Sequence, residues 1–304
     1  MRRQDSFSLG MIYLVALGAL LVLFIEVWYL LPIPGVIGVY LLAARKRERT
    51  DRFFLVFAAV GMLLVFFVAL PVLNMLKYST PGTIGQTLGD SAAVSSILLS
   101  MGAAFYAVLL SLLLGIPLAY VLARRDFPGK GLIEAVIDLP VVIPHTVAGI
   151  ALLMVLGRGS ILGSAIDFVD AMPGIIAAMM FVSAPFIVNY LREGFEAVDP
   201  RMEFVARGLG ASGLEAFGTV TLPLSVRSIF MGAVMGWARA ISEFGAVVII
   251  AYYPMIAPTY IYAAFNSGGL AASRPVASLL LLICIGVFVS LRLVSGRWKR
   301  YARD

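Results

Sequence analysis

Apolar residues run along this chain in blocks instead of alternating with polar ones. Six blocks stand out: Phe53 to Leu76, Ala92 to Ala123, Leu132 to Leu156, Pro173 to Leu191, Ile229 to Tyr252 and Pro275 to Leu293. Each is close to or beyond the roughly 20 residues that a helix needs to cross a bilayer. A membrane barrel would instead show segments of about ten residues in alternation. The pattern therefore predicts helices, and the fold class is an all-α, polytopic membrane helix bundle with six core spans. Composition agrees, with 61% apolar and 13% charged residues and a mean hydropathy of +0.99. A soluble domain of this length needs a mostly polar surface and a disordered chain needs low hydrophobicity, so both classes are excluded.

The net charge of +6 is not a nucleic-acid footprint, because the basic residues cluster in the loops on one side. With the segment after Arg45 placed in the cytoplasm, the inside loops receive Arg45, Lys46, Arg47, Arg49 and Arg52, then Arg124, Arg125 and Lys130. They also receive Arg192, Arg201, Arg207 and Arg227, then Arg292, Arg297, Lys299, Arg300 and Arg303, leaving only Lys77, Arg158 and Arg274 outside. Positive residues collect in cytoplasmic loops, so a multi-pass protein with a cytoplasmic C-terminus is expected. Residues 1–50 form an extra membrane segment ahead of a core at 51–304. The run from Leu9 to Ala44 is too long for one upright span, and Pro32-Ile33-Pro34-Gly35 reads as a hairpin tip behind Trp28 and Tyr29. A hairpin of two short helices and one long tilted helix both fit. No small-residue cleavage site follows Arg2-Arg3, so the segment is expected to be retained. Cys284, the lone cysteine, sits in an apolar run and reads as a packing residue.

One extended polar stretch interrupts the core, at 192–227. Asp199-Pro200 is an N-cap and first-turn pair, Gly210 is placed to end that helix, and Ser212-Gly213-Leu214-Glu215 is a capping box for a second helix. The expectation is two short helices joined at Gly210 across the cytoplasmic mouth of the bundle, with Met202, Val205, Ala206 and Leu209 along one side. Such a pair is built to dock on a partner.

Phe204-Val205-Ala206, three residues, Gly210, nine residues, Val220, one residue and Leu222-Pro223 resembles the EAA loop of permease subunits of ATP-binding cassette (ABC) importers. The acidic position of that motif is held by Phe204, with Glu203 one residue earlier. Three further stretches resemble the molybdate/tungstate branch of these permeases: Asp138 to Gly149, Gly194 to Pro200 and Trp237 to Val248, with Ala251 to Pro258 in addition. The resemblance covers about Phe53 to Arg297. It implies the type I ABC importer permease core in a plasma membrane, working as a homodimer with two copies of an ATPase subunit inside and an external oxyanion-binding protein outside. It also implies that Glu203, Phe204, Val205, Ala206, Arg207, Leu209 and Gly210 couple the chain to the ATPase, which itself binds ATP and Mg.

Arg239 and Glu243 are four residues apart in the fifth block, hence on one face of a helix there. A charge at this depth costs roughly 2.5 to 3.5 kcal/mol on insertion scales, so such residues face protein or water. They form either a neutralised pair that pins packing or, with Ser242, part of the translocation path. His145, the only histidine, follows Pro140 and Pro144. It is either a hydrogen-bonded packing residue at a kink or, with Pro144 and Thr146, part of a gate. One His and one Cys make no metal cluster, and no phosphate-loop motif occurs. The chain itself is therefore expected to hold no metal and no cofactor and not to be an enzyme. Gly149, Gly157, Gly232, Gly236 and Gly245 are placed for close helix approach. The outward segments Lys77 to Ser91, Gly157 to Met172 and Tyr253 to Arg274 read as loops that could receive the binding protein. Sulfate and thiosulfate are rival substrates. A gradient-driven secondary transporter with Glu243 and Asp138 as coupling acids is the rival mechanism.

Overall fold

The computed structural model describes residues 52–77 and 79–301. The expected helix or hairpin in residues 1–50 lies outside the described residues. The chain divides into two compact units, Met1–Tyr78 and Ser79–Asp304. In the first, α1 (Arg52–Lys77) is a 26-residue helix with Pro71 inside it. The second holds α2 (Pro81–Gly89), α3 (Ser91–Arg124), α4 (Lys130–Val142), α5 (His145–Leu156), α6 (Ile161–Ala165) and α7 (Met172–Glu196). It continues with α8 (Pro200–Gly208), α9 (Gly213–Ala216), a π-helical turn at Phe217–Thr221, α10 (Leu222–Ile241), α11 (Val247–Ile250) and α12 (Ala257–Tyr301). Among the described residues there is no strand.

Four helical stretches are long and apolar enough to cross a bilayer: Ser91–Arg124, Met172–Glu196, Gly213–Ile241 and Ala257–Leu291. The pair α4 and α5, bent by 117°, is long and apolar enough only when taken together, as a broken span or a re-entrant loop. The first expected span, Phe53 to Leu76, falls on α1, of which Phe67–Lys77 is described as an apolar helix.

The bundle centres on α3 and α7. Ala103, Ala104 and Ala107 of α3 meet Ile175, Ala178 and Met179 of α7 in one buried cluster. A second cluster joins Val108 and Ala119 to Ile187, Val188, Leu191 and Phe195. Lipid tails are as apolar as leucine, so helix association relies on close packing, which small residues permit. Gly236 of α10 shows this directly, since a Cβ there would stand 2.4 Å from Ile187 Cγ1. At the other end of α3, Asp90 caps the helix by accepting from Ala92 and Ala93 N–H and accepts Tyr260 Oη of α12 at 3.0 Å. Ala93 and Ile97 bury themselves there with Ala257, Val276 and Leu279.

The block Leu132 to Leu156 is two helices, with the break at the second of the two prolines expected to break or start a helix there: Ile143, just before Pro144, is extended (φ −73°, ψ 132°), and a residue preceding proline is disfavoured in the helical region. Three sequence expectations change. The block Ile229 to Tyr252 is broken as well. α10 ends at Ile241, so Arg239 and Glu243 do not share a helix face. The second helix of the polar stretch is not separate, because α9 runs through the π turn into α10 as one stretch, Gly213–Ile241. Pro223 has no N–H to donate, and the wide turn just before it, with Leu222 N–H bonded to Phe217 O, carries the chain past that gap. Finally, Tyr253 to Arg274 is largely not a loop. After a cis Tyr253-Pro254 bond, α12 begins at Ala257 and bends at Gly269 (φ 63°, ψ −153°). Its small residues from Ser267 to Ala272 lie within a helix rather than in a turn, and most of them are exposed. The segments expected as loops at Lys77 to Ser91 and Gly157 to Met172 likewise carry α2 and α6.

Candidate functional site

Two sites emerge, one on the polar stretch and one where α10 breaks. On the first, every cap written in the sequence forms. Asp199 Oδ1 accepts Arg201 N–H at 2.9 Å, and Pro200 occupies the first turn of α8. α8 ends in a Schellman turn. Ala211 N–H bonds Ala206 O and Gly210 N–H bonds Arg207 O, both at 3.1 Å, with Gly210 at φ 101°. Ser212 and Glu215 then complete the capping box, Glu215 Oε2 accepting Ser212 N–H at 2.7 Å and Ser212 Oγ accepting Glu215 N–H at 3.2 Å. This framework presents Met202, Phe204, Val205, Leu209 and Leu214 to the outside, Leu209 at 86% and Leu214 at 80% exposure. Arg207 is exposed beside them, and Ala206 is half-buried.

Glu203 turns the other way. Its carboxylate receives Tyr120 Oη at 2.6 Å, Arg124 Nε at 2.8 Å and the Thr221 hydroxyl, and its side chain is only 12% exposed. Burial pushes this carboxyl up, but the hydrogen bonds from Thr221, Tyr120 and Arg124 outweigh it and hold Glu203 below the usual range. Arg124 also donates Nη1 to Phe195 O at the end of α7, 2.7 Å away. The rings of Tyr120, Phe195 and Phe217 meet edge to face around this network. Sequence reasoning grouped Glu203 with the outward-facing residues and missed Tyr120, Arg124 and Thr221. No local pattern in the sequence links them to Glu203.

At the second site the chain leaves α10 and Glu243 folds back. Its Oε1 accepts Ala246 N–H at 2.8 Å, and its Oε2 lies 2.9 Å from Arg239 Nη2 and 2.9 Å from His145 Nδ1. Arg239 Nη2 is also 2.8 Å from His145 Nε2. The same Nη2 lies 2.9 Å from His145 Nδ1, so the Arg239 guanidinium rests against both ring nitrogens. Glu243 is 1% exposed, and a charge so buried requires this pairing. Arg239 Nη1 reaches Ser242 Oγ at 3.3 Å. Of the residues predicted here, His145, Arg239, Ser242 and Glu243 come together, while Pro144 and Thr146 flank them in exposed positions. Close backbone approach makes the meeting possible. A Cβ on Gly245 would stand 2.7 Å from His145 Cβ, and one on Gly149 would stand 2.8 Å from Ala246 O.

Asp138 belongs to a separate network. It accepts Asn189 Nδ2 at 2.9 Å, and one helical turn away Arg192 pairs with Glu134 at 2.7 Å, so both bonds tie α4 to α7. Glu243 and Asp138 have no partner in common. Among the described residues no group of three or more His, Cys, Asp or Glu side chains is placed to hold a metal.

Comparison with known proteins fits this geometry. Residues 111–300 match the family described as binding-protein-dependent transport system inner membrane component. The chain is 46% identical over 251 residues to the molybdate/tungstate transport system permease protein WtpB of Thermococcus kodakarensis, covering 82% of this chain and 98% of that protein. It is 46% identical over 255 residues to the protein of the same name from Pyrococcus furiosus, covering 83% and 99%. In fold it is similar to a chain of a bacterial alginate ABC transporter solved in complex with an alginate pentasaccharide-bound periplasmic protein. The TM-score there is 0.64 at 15% identity, over 83% of this chain and 96% of that one. The exposed, capped α8, the broken membrane helices and these matches lead to one conclusion: the chain belongs to the inner membrane components of binding-protein-dependent transport systems, as a multi-pass permease subunit with the ABC importer fold.

Proposed function

We propose that this chain is the membrane permease of an ATP-driven importer that carries molybdate or tungstate into the cytoplasm. Two copies pair in the plasma membrane with their C-termini in the cytoplasm. Two ATPase subunits bind ATP and Mg and dock beneath, and an external oxyanion-binding protein delivers the anion. The observation that carries the mechanism is α8, a nine-residue helix fixed at both ends by caps with Phe204, Val205 and Leu209 exposed. Apolar side chains displayed on a rigid, capped helix suit a groove on a partner. Closure of the ATPase pair on ATP would draw the two α8 helices together and rock the spans around a central path, and hydrolysis would reset them.

The substrate class comes from the relatives, whose names specify molybdate/tungstate. The second site suits a dianion's path. Arg239 offers positive charge, Glu243 holds it in place, and His145, with 42% of its side chain exposed, is the member that a passing anion meets. Pro144 and Thr146 complete this gate. Sulfate and thiosulfate share the charge and tetrahedral shape, so discrimination rests mainly with the binding protein.

The test is ATP hydrolysis by the chain reconstituted in liposomes with its co-purified ATPase, comparing binding protein loaded with molybdate, tungstate or sulfate. Stimulation by the first two alone is expected. Equal or greater stimulation by sulfate would overturn the substrate assignment, and gradient-driven uptake without any ATPase would overturn the mechanism.

A further inference from the structure

Glu203 has no role in the docking surface, yet three side-chain donors converge on it. Two come from the last turns of α3, Tyr120 at 2.6 Å and Arg124 at 2.8 Å. The third is Thr221, which is fully buried in the π turn that opens α10. Arg124 extends the junction to α7 through Phe195 O at 2.7 Å. One carboxylate on α8 thus ties that helix to the ends of three long helices.

A nine-residue helix does not hold itself in place, since isolated helices shorter than about 12 residues are marginal in water. Its covalent connections are slender, the Asp199 cap on one side and the Gly210 turn on the other. The first covalent link into α10 crosses a π turn, a wide turn frequent at functional sites. Without a tertiary tie, a push on Phe204, Val205 and Leu209 would rotate α8 about these joints rather than move the spans. Charge-assisted bonds to one carboxylate resist that rotation, and they do so where water is largely excluded.

We propose that Glu203 is a positioning residue that joins α8 to the ends of α3, α7 and α10 as one rigid lever, and that it does not itself touch the ATPase. The proposal rests on the reading of α8 as the ATPase-docking helix. It deepens that reading by naming the residues through which force leaves the helix: Tyr120, Arg124 and Thr221.

Tyr120→Phe, Thr221→Val and Glu203→Gln, each close to isosteric, test it in the reconstituted complex. Three quantities are read: the ATPase retained on purification, ATP hydrolysed, and molybdate taken up per ATP. All three variants are expected to retain the ATPase at the wild-type ratio and to hydrolyse ATP. Uptake per ATP should fall about tenfold in Glu203→Gln, the scale of a weakened hydrogen bond to a charged group, and less in the single-donor variants. A residue that worked by touching the ATPase would be indifferent to Tyr120 and Thr221, which lie on the bundle side. Loss of ATPase binding in Glu203→Gln with wild-type behaviour in the other two would therefore overturn the proposal, as would unchanged uptake per ATP in all three. If Glu203→Gln fails to assemble, the Tyr120 and Thr221 variants decide by the same criterion. A wild-type chain that retained no ATPase would instead refute the docking reading on which the proposal stands.

Discussion

Replacing Gly210 with valine isolates backbone conformation from contact. Gly210 sits at φ 101°, and a Cβ built there meets nothing within 4 Å, so the substitution clashes with no neighbour. What remains is conformational. A left-handed backbone costs an L-residue about 1 to 2 kcal/mol, and strained positions range over about 1 to 3 kcal/mol. A β-branched side chain and a φ well beyond the usual left-handed value place valine at about 2 to 3 kcal/mol. At about 1.4 kcal/mol per tenfold, the equilibrium constant for holding the Schellman turn should fall roughly 30- to 140-fold. The two hydrogen bonds of that turn set the angle between α8 and α9, so the docking face swings away while the membrane helices keep their packing. ATPase retention should fall by a similar factor, with the thermal unfolding of the detergent-purified chain nearly unchanged. Asparagine, which tolerates left-handed conformations, should stay near wild type, with alanine between. Wild-type retention in Gly210→Val would refute the reasoning. So would equal loss in the asparagine and valine variants, because that would make the side chain, not the backbone, the cause.

Arg239→Met leaves Glu243 buried without its cation and should destabilise the chain by about 3 to 5 kcal/mol; Arg239→Met with Glu243→Gln should cost less than the two singles added, read by thermal unfolding in detergent. Gly149→Ala sets a Cβ 2.8 Å from Ala246 O and should cost about 1 to 3 kcal/mol by overpacking, whereas Gly102→Ala, with nothing within 4 Å, should be neutral or stabilising by up to about 1 kcal/mol. Glu203 has a lowered carboxyl pKa in the fold, so its stabilisation is complete above the ordinary carboxylate value. It is lost as pH drops through that value toward the folded one, because the unfolded chain takes up its proton first. The stability difference between wild type and Glu203→Gln should therefore shrink as pH falls through the ordinary glutamate value of 4.5.

The sequence by itself determined what depends on neighbours along the chain. Long apolar blocks fix an all-helical membrane bundle, since only internally bonded helices and closed barrels satisfy their backbone in lipid. Asp199-Pro200, Gly210 and Ser212 with Glu215 placed the ends of α8 and α9 because caps act over three or four residues. What the tertiary structure alone decided lies at the breaks and across distances. Hydropathy alone does not mark a break: Leu132 to Leu156 and Ile229 to Tyr252 each read as one apolar block, and only Pro140 and Pro144 signalled a kink in the first. The helix through Ala257 to Arg274 was hidden for the opposite reason: Asn266, Ser267, Gly268 and Gly269 are turn-forming residue types that here lie within a helix bent at Gly269. Glu243 and His145 are 98 positions apart, and Arg124 and Glu203 are 79 apart. No local pattern links such residues; each pair forms only because buried charge must find a partner, and packing determines which partner is within reach.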